Sequence, residues 1–371
     1  MSIKPPSGID SSKKILLNVR MYYIREIKVS ENQLWSNFIS NLNFNTFLHS
    51  KSWLDFNFEQ NNYQFYRFGL FEEKPNKESS QEDKLVSVVA FFKVKAKRGT
   101  FLFCPHGPQG KILNQEILTQ WTVFLKGFGQ ENRCNFIRVC PIVSKTMHNQ
   151  NLFKNVGYIQ APIHMHAELT TVVNLDRNPQ EILMGMRKTT RQMVRKGQKL
   201  IQEGKVKVRI VKKLSIEAHE VYKQTAVRGH FVPFSRDYLD KELAYFQKNK
   251  QGCAIEVIFE DKILSWGLFI FHGKRAFYHQ GANYLHKKIP ASYICHWQGM
   301  LEAIKRKCQT YDFWGVSPEN KPNHPWATIS LFKRGFGGQD VELVHAQDYP
   351  LNLFYWPTYF FEKFRAKKRG F

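Results

Sequence analysis

The alternation of apolar and polar positions divides the chain into two stretches with the same order of elements. In the first, residues 65–73 (FYRFGLFEE), 84–98 (KLVSVVAFFKVKAKR) and 99–110 (GTFLFCPHGPQG) are rich in β-branched and aromatic residues and end at turn formers, which predicts three successive strands. Residues 114–130 (NQEILTQWTVFLKGFGQ) change to the three-to-four-residue spacing of an amphipathic helix, and 135–143 (NFIRVCPIV) read as a strand again. The second stretch repeats the sequence of events. Residues 253–262, 263–274 and 275–285 predict a meander with turns at Glu-Asp and His-Gly, 290–307 (PASYICHWQGMLEAIKRK) a helix, and 310–316 (TYDFWGV) a strand. A mixed α/β unit used twice implies two similar domains side by side, with a cleft between them as the default ligand site.

Between the two stretches, residues 181–204 (EILMGMRKTTRQMVRKGQKLIQEG) place Ile182, Met186, Met193 and Leu200 on one helical face, with Arg187, Arg191 and Arg195 nearly opposite. Together with Lys188, Lys196 and Lys199 these form a run from 187 to 199 without a carboxylate. Most such runs are solvated helix faces, but like charges one turn apart repel each other. Guanidinium groups at this spacing are suited to pairing with phosphate oxygens, so the run is a candidate phosphate-binding or tRNA-binding face. The tail, 351–371 (LNLFYWPTYFFEKFRAKKRGF), mixes six aromatics between Phe354 and Phe361 with Lys363, Arg365, Lys367, Lys368 and Arg369. That mixture suits either the cap of a core or peripheral contact with a membrane.

With 371 residues the chain exceeds what one core usually holds, in keeping with two domains. Its 55 Lys and Arg against 31 Asp and Glu give a net charge of +24, a positive field that concentrates polyanions such as nucleic acid, anionic lipid or phosphate-rich substrates. The six cysteines show neither CxxC pairs nor zinc spacing and read as thiols of a reducing compartment. The N-terminus lacks the apolar stretch of a signal peptide, and no apolar run reaches the roughly 18 residues of a membrane span. The expectation is a cytoplasmic protein, with the tail available for contact at the inner face of the cell membrane. Walker-type, HExxH and GxSxG motifs are absent, so nucleotide hydrolysis, zinc proteolysis and α/β-hydrolase chemistry lack their marks. His279, His296 and His324 lie near aromatics and read as satisfied structural groups.

One segment remains, 311–338 (YDFWGVSPENKPNHPWATISLFKRGFGG), in which an apolar run ends in Lys333, Arg334 and a glycine cluster. Taken with LDRNPQEILMGMRKTTRQMVRKG (175–197), TAVRGHFVPFSRDYL (225–239), FYHQGANY (277–284), NTFLHSKSWLDF (45–56) and GPQG (107–110), it resembles the Fem family of peptidoglycan bridge-forming aminoacyltransferases. The resemblance covers roughly residues 45 to 345. It implies tandem domains similar to acyl-CoA N-acyltransferases (GNAT-like): a first domain of 1–165 completed by 345–371, and a second of 166–344. It also implies transfer of an amino acid from aminoacyl-tRNA to an amine of a nucleotide-linked or lipid-linked stem peptide, with no cofactor beyond the donor and no metal.

By the same resemblance Lys333 and Phe332 match the family's catalytic pair, with Ile329 and Phe332 packing to hold the ammonium rigid. Lys51 and Arg228 are expected on precursor phosphates, Tyr278 along the peptide channel, and Trp326 with them among the substrate-binding residues. Two departures stand out. The family's PRGP reads PHGP at Pro105 to Pro108, and the acidic residue that commonly follows it is replaced by the neighbourhood of Gly110 and Lys111, so the expected carboxylate for positioning the acceptor amine is missing and a different acceptor is open. The long helical arm of some members is missing, so the 187–199 face is the candidate platform for tRNA. Two other readings are compatible with these residues: an acyl-CoA-dependent N-acyltransferase, although RGFGGQ is a poor match to its pyrophosphate loop, and a non-catalytic RNA-binding or membrane-surface protein.

Overall fold

The computed structural model describes residues 21–73 and 83–368; the N-terminal stretch read for a signal peptide and the tail's Arg369 lie outside the described residues. The first sheet contains β1 (Tyr22–Glu26), β2 (Gln64–Glu72), β3 (Lys84–Ala96), β4 (Gly99–Cys104), β5 (Gln109–Gly110), β6 (Phe136–Val139) and β7 (Ile159–Gln160). The second contains β8 (Leu169–Asn174), β9 (Val206–Val211), β10 (Gly252–Phe259), β11 (Lys262–His272), β12 (Arg275–Asn283), β13 (Thr310–Gly315) and β14 (Gln339–Glu342). The last strand, β15 (Gln347–Pro350), returns to the first.

The duplication read from the apolar pattern is present: seven strands of each sheet follow the same order, and β5 alone has no counterpart. The first sheet runs β1-β2-β3-β4-β6-β15-β7, with β5 against β3, and the second β9-β10-β11-β12-β13-β8-β14. Each is antiparallel except at one place, β4 beside β6 and β12 beside β13. A helix supplies each parallel crossover: α3 (Gln115–Glu131) in the first half and α9 (Ala291–Lys305) in the second. The strands beside these parallel pairs on the outer side, β15 next to β6 and β8 next to β13, each follow a crossing of the chain between the sheets. After β7 the chain crosses to the second sheet as β8, and after β14 it crosses back to the first as β15.

The other helices are α1 (Asn32–Ser40), α2 (Lys51–Asn61), α4 (Met147–Asn155), α5 (Pro179–Gly185), α6 (Lys188–Gln202), α7 (Ile216–Gly229), α8 (Arg236–Lys248), α10 (Ala327–Arg334) and α11 (Tyr355–Lys368). Local sequence sets their starts: the side chains of Ser50, Asn114, Thr146, Asn178, Ser215 and Ser235 cap α2, α3, α4, α5, α7 and α8. Among the described residues no helix is long and apolar enough to cross a membrane. All six cysteines are buried and free.

The basic segment differs from the single helix its periodicity predicts. It breaks at Met186, whose backbone is extended, and the Arg187 amide donates to the Gly335 carbonyl at 2.9 Å instead of continuing a helix. Gly337, at φ +81°, fits into this break; a Cβ there would sit 2.4 Å from the Gly185 oxygen. The buried face of α6 is therefore Thr190, Val194 and Gly197, while Met193 and Leu200 are only partly covered.

One apolar core joins the lobes, running from Trp35, Phe56 and Phe136 to Phe246, Trp266 and Phe277. A second lies under α9, and a third under α3. The returning strand β15 is fixed electrostatically as well. Opposite it on β6, Arg138 is fully buried and donates twice to Asp348 at 2.7 Å and once to Glu362 of α11 at 2.8 Å, and the Tyr355 hydroxyl adds a bond to Asp348 at 3.0 Å. Removing one member of such a buried pair strands the other charge. Asp348→Ala is expected to destabilise the protein by about 3–5 kcal/mol in urea unfolding, with Glu362→Gln costing clearly less.

Candidate active site

The parallel pairing of β12 with β13 covers only Arg275–Phe277 against Thr310–Asp312. Beyond these residues the strands part, leaving a split between Tyr278–Asn283 and Phe313–Gly315. The cause is visible in β13. Its register against β8 slips between Asp312 and Gly315, and Trp314 adopts the left-handed backbone at φ +59°, a costly conformation for a bulky side chain. Asp312 holds this kink in place. It is 3% exposed, and its carboxyl accepts the Trp314 amide at 2.8 Å, the Thr170 hydroxyl, and the Arg275 guanidinium at 2.9 Å. Arg275 in turn donates to the Asn45 carbonyl of the first lobe at 2.9 Å.

The kink turns the Trp314 ring into an aromatic seam between the lobes, 5.3 Å from Phe47, 5.9 Å from Phe277 and 5.7 Å from His106 and His279. It also directs the Gly315 carbonyl toward α10, where Lys333 Nζ donates to it at 2.7 Å. Three side chains of α10, Ser330 and, one turn on, Lys333 and Arg334, grip this strand end: the Ser330 hydroxyl accepts the Ser317 amide at 2.7 Å, Lys333 binds Gly315, and Arg334 donates to the Ser317 carbonyl at 2.6 Å. Lys333 is 7% exposed. Burial pushes its ammonium down to about 8, against which the charge of Asp312 pulls upward.

The sequence-derived candidates fall into separate groups. Phe332 packs beside Lys333, 4.9 Å from Tyr293, 5.4 Å from His296 and 5.3 Å from Phe336. Ile329, expected to help hold the lysine, is 47% exposed; the α10 face turned to the strand carries Ser330 and Lys333 instead. Trp326 lies over Gly315, where an added Cβ would meet its ring at 3.2 Å. Tyr278 borders the split with its ring between Phe269 and His296, and burial raises its phenol strongly.

Lys51 stands apart, at the start of α2, paired with Asp55 and bordering a cavity of about 400 Å³ that Lys28 and Arg67 also line. Arg228 ends α7 and binds the Asn283 carbonyl at 2.9 Å and its side-chain oxygen at 2.7 Å, at the far end of β12. Arg187 donates to the Leu331 carbonyl at 2.5 Å and Arg191 to the Met184 carbonyl at 2.9 Å, so part of the basic face is engaged by the protein's own backbone. Lys188, Arg195 and Lys196 are exposed.

Of the histidines, His296 is a buried structural group bonded to the Tyr311 hydroxyl at 2.8 Å, and burial pushes it down to about 3. His324 caps the Trp326 amide at 3.0 Å. His279 differs in being bonded through Nδ1 to a fully buried carboxyl, Glu242, while its ring borders the split beside Trp314. Sequence reasoning missed Asp312, Arg275 and Glu242. A signal for two of them existed: Asp312 interrupts an otherwise apolar strand, and Glu242 falls on the same face of α8 as Leu239 and Phe246, positions where a charge demands a buried partner.

The FemAB family profile matches residues 31–255 and 242–363. The chain belongs to the FemAB family. No curated protein sequence matches it. Among solved structures, that of FemX shares the fold with a TM-score of 0.76 at 15% identity, covering 91% of this chain and 99% of FemX. L-PGS from Bacillus licheniformis gives 0.51 at 12% identity, over 88% of this chain and 93% of that one. A conserved protein of unknown function from Bacteroides thetaiotaomicron gives 0.51 at 10% identity, over 89% and 98%. The fold is that of FemX, a duplicated mixed α/β unit, and FemAB members are transferases of peptidoglycan bridge formation. In this FemAB chain Asp312→Asn removes the charge that supports the Lys333 ammonium, so NMR titration of Lys333 is expected to show a midpoint below the wild-type value of about 8.

Proposed function

We propose that the chain moves an amino acid from aminoacyl-tRNA to an amine of a peptidoglycan-precursor stem peptide. The observation that carries the reading is Lys333, a buried ammonium anchored on the Gly315 carbonyl beside the split between β12 and β13. Acyl transfer from an ester needs no covalent enzyme intermediate, because the ester is already activated. The stem-peptide amine attacks the ester carbonyl and forms the C–N bond. The carbonyl oxygen takes up negative charge, the C–O bond to the ribose breaks, and the amine's proton passes to the departing ribose oxygen. A rigid ammonium at this point stabilises the developing oxyanion or the leaving oxygen more than it stabilises the uncharged ester.

The remaining groups have roles on the same reading. Lys51, with Lys28 and Arg67 around one cavity that Glu26 and Asp55 also line, is assigned to the precursor's phosphates, and Arg228 at the far end of β12 to a second phosphate contact. Tyr278 and Trp326 line the approach to the split, and Phe332 holds the lysine's helix in place. The exposed Lys188, Arg195 and Lys196, with Arg187 and Arg191 beside them, receive the tRNA backbone.

The direct test is transfer of a radiolabelled amino acid from a mixed aminoacyl-tRNA pool to a soluble nucleotide-linked stem pentapeptide and, in parallel, to its lipid-linked form. Label on either precursor is the expected result; its absence with folded, precursor-binding protein points to an acyl-CoA donor. Lys333→Met should lower kcat by about 10²–10³ while precursor affinity stays within a few fold. Because the charged form is the working one and burial sets its pKa at about 8, wild-type activity should fall as pH rises through 8. The pair Arg195→Glu and Lys196→Glu should weaken tRNA binding and flatten its salt dependence by about one unit of slope per lost phosphate contact, with the precursor's affinity unchanged.

A further inference from the structure

The tail absorbed by none of this chemistry forms α11, a helix with two unlike faces. One face is seated on the first lobe: Tyr355 is fully buried, the Thr358 hydroxyl donates to the Arg98 carbonyl at 3.2 Å, and Glu362 accepts from Arg138 at 2.8 Å. The opposite face is apolar and bare. Trp356, Phe360 and Phe364, one turn apart, are 39%, 62% and 68% exposed, and Leu353 and Phe354 just ahead of the helix are 82% and 74% exposed. Lys363, Arg365, Lys367 and Lys368 are exposed around this stripe.

We infer that α11 is an interfacial anchor that lies flat on an anionic lipid bilayer. A helix with bulky apolar side chains on one side and bases at its margins enters the headgroup boundary, its rings reaching the acyl region while the cations meet lipid phosphates. The structure also argues against other occupants. In a symmetric contact between two copies the same bases would face each other across the interface, a repulsive arrangement. An RNA backbone would pair with the bases yet leave Leu353, Phe360 and Phe364 in water. The inner face of the helix is already fixed by Arg138 and Arg98, so the orientation of the stripe is preset by the fold and no ordering of the helix is required on docking.

The test is sedimentation of the full chain with phosphatidylcholine vesicles containing or lacking phosphatidylglycerol, carrying no precursor and no tRNA, so that its outcome is independent of the proposed transfer reaction. Wild type is expected to bind the anionic vesicles, and the double variant F360S/F364S to bind them at least about tenfold more weakly with an unchanged melting temperature. Lys367→Gln with Lys368→Gln should reduce the preference for phosphatidylglycerol. Equal binding by wild type and F360S/F364S, or no vesicle binding by wild type, would overturn the inference. So would a wild-type dimer in sedimentation velocity that F360S/F364S dissolves, since the stripe would then belong to a second copy.

Discussion

The buried pair of Arg275 and Asp312 is the constraint on which the arrangement of this protein depends. A buried ion pair gains little by itself, because desolvation offsets the attraction. Its value here lies in what else the two groups hold. The Asp312 carboxyl takes the amide of Trp314 and the hydroxyl of Thr170 besides the guanidinium, which stabilises a backbone conformation that Trp314 would not adopt unaided. Arg275 reaches across to the Asn45 carbonyl, so the strand kink and the docking of the lobes are fixed by one network. Disturbing either residue alters the split, the aromatic seam and the carbonyl that anchors Lys333 together.

The return of the chain to its first sheet gives that network a stable frame. The second sheet is built from the consecutive strands β8 to β14, whereas the first is complete only when β15 returns to it from beyond that whole run. The return of β15 to β6 thereby ties the end of the chain back to the first lobe, and the shared core joins the two lobes. This matters for a site whose parts lie on different segments. Lys333 comes from α10, its carbonyl partner from β13, and the seam beside them from Phe47 and Trp53 of the first lobe. A hinge at this junction would separate groups whose separation must hold to fractions of an ångström for catalysis.

Much of the architecture was legible in the sequence because the two units obey local rules. Strands such as 84–96 and 262–272 are long runs of β-branched and aromatic residues, and the helices at 115–131 and 291–305 carry a clear apolar period, so order and type followed from pattern alone. The break at Met186 was not legible, since its cause is the approach of Gly337 and the Gly335 carbonyl from some 150 residues away in the chain. Nor was the burial of Lys333. From the residues alone, a lysine at the end of a helix and before Arg334 reads as a surface residue; the resemblance expected Ile329 and Phe332 to hold it, whereas the kink at Trp314 supplies the Gly315 carbonyl that receives it. The tail mixed two signals, one for each face of α11, and composition could not assign them to sides.

The position of Lys333 also explains why a lysine and not an arginine suits this place. A guanidinium is held by a planar fork of donors, and Gly315 offers a single carbonyl. The compact ammonium satisfies that acceptor with one proton and, on the proposed reading, keeps two for a reacting oxygen. Its pKa of about 8 still leaves it mostly charged near neutrality, yet the folded protein holds the proton less tightly than the unfolded chain does, with its ordinary value of 10.5. The sign follows: the unfolded chain binds more protons between pH 8 and 10.5, so this group's cost to stability is full below 8 and fades as the pH rises toward 10.5. At working pH the fold therefore bears the cost of a charge it would be more stable without. On the proposed reading, an ammonium retained at this cost against a single carbonyl meets its full complement of partners only when a substrate oxygen arrives.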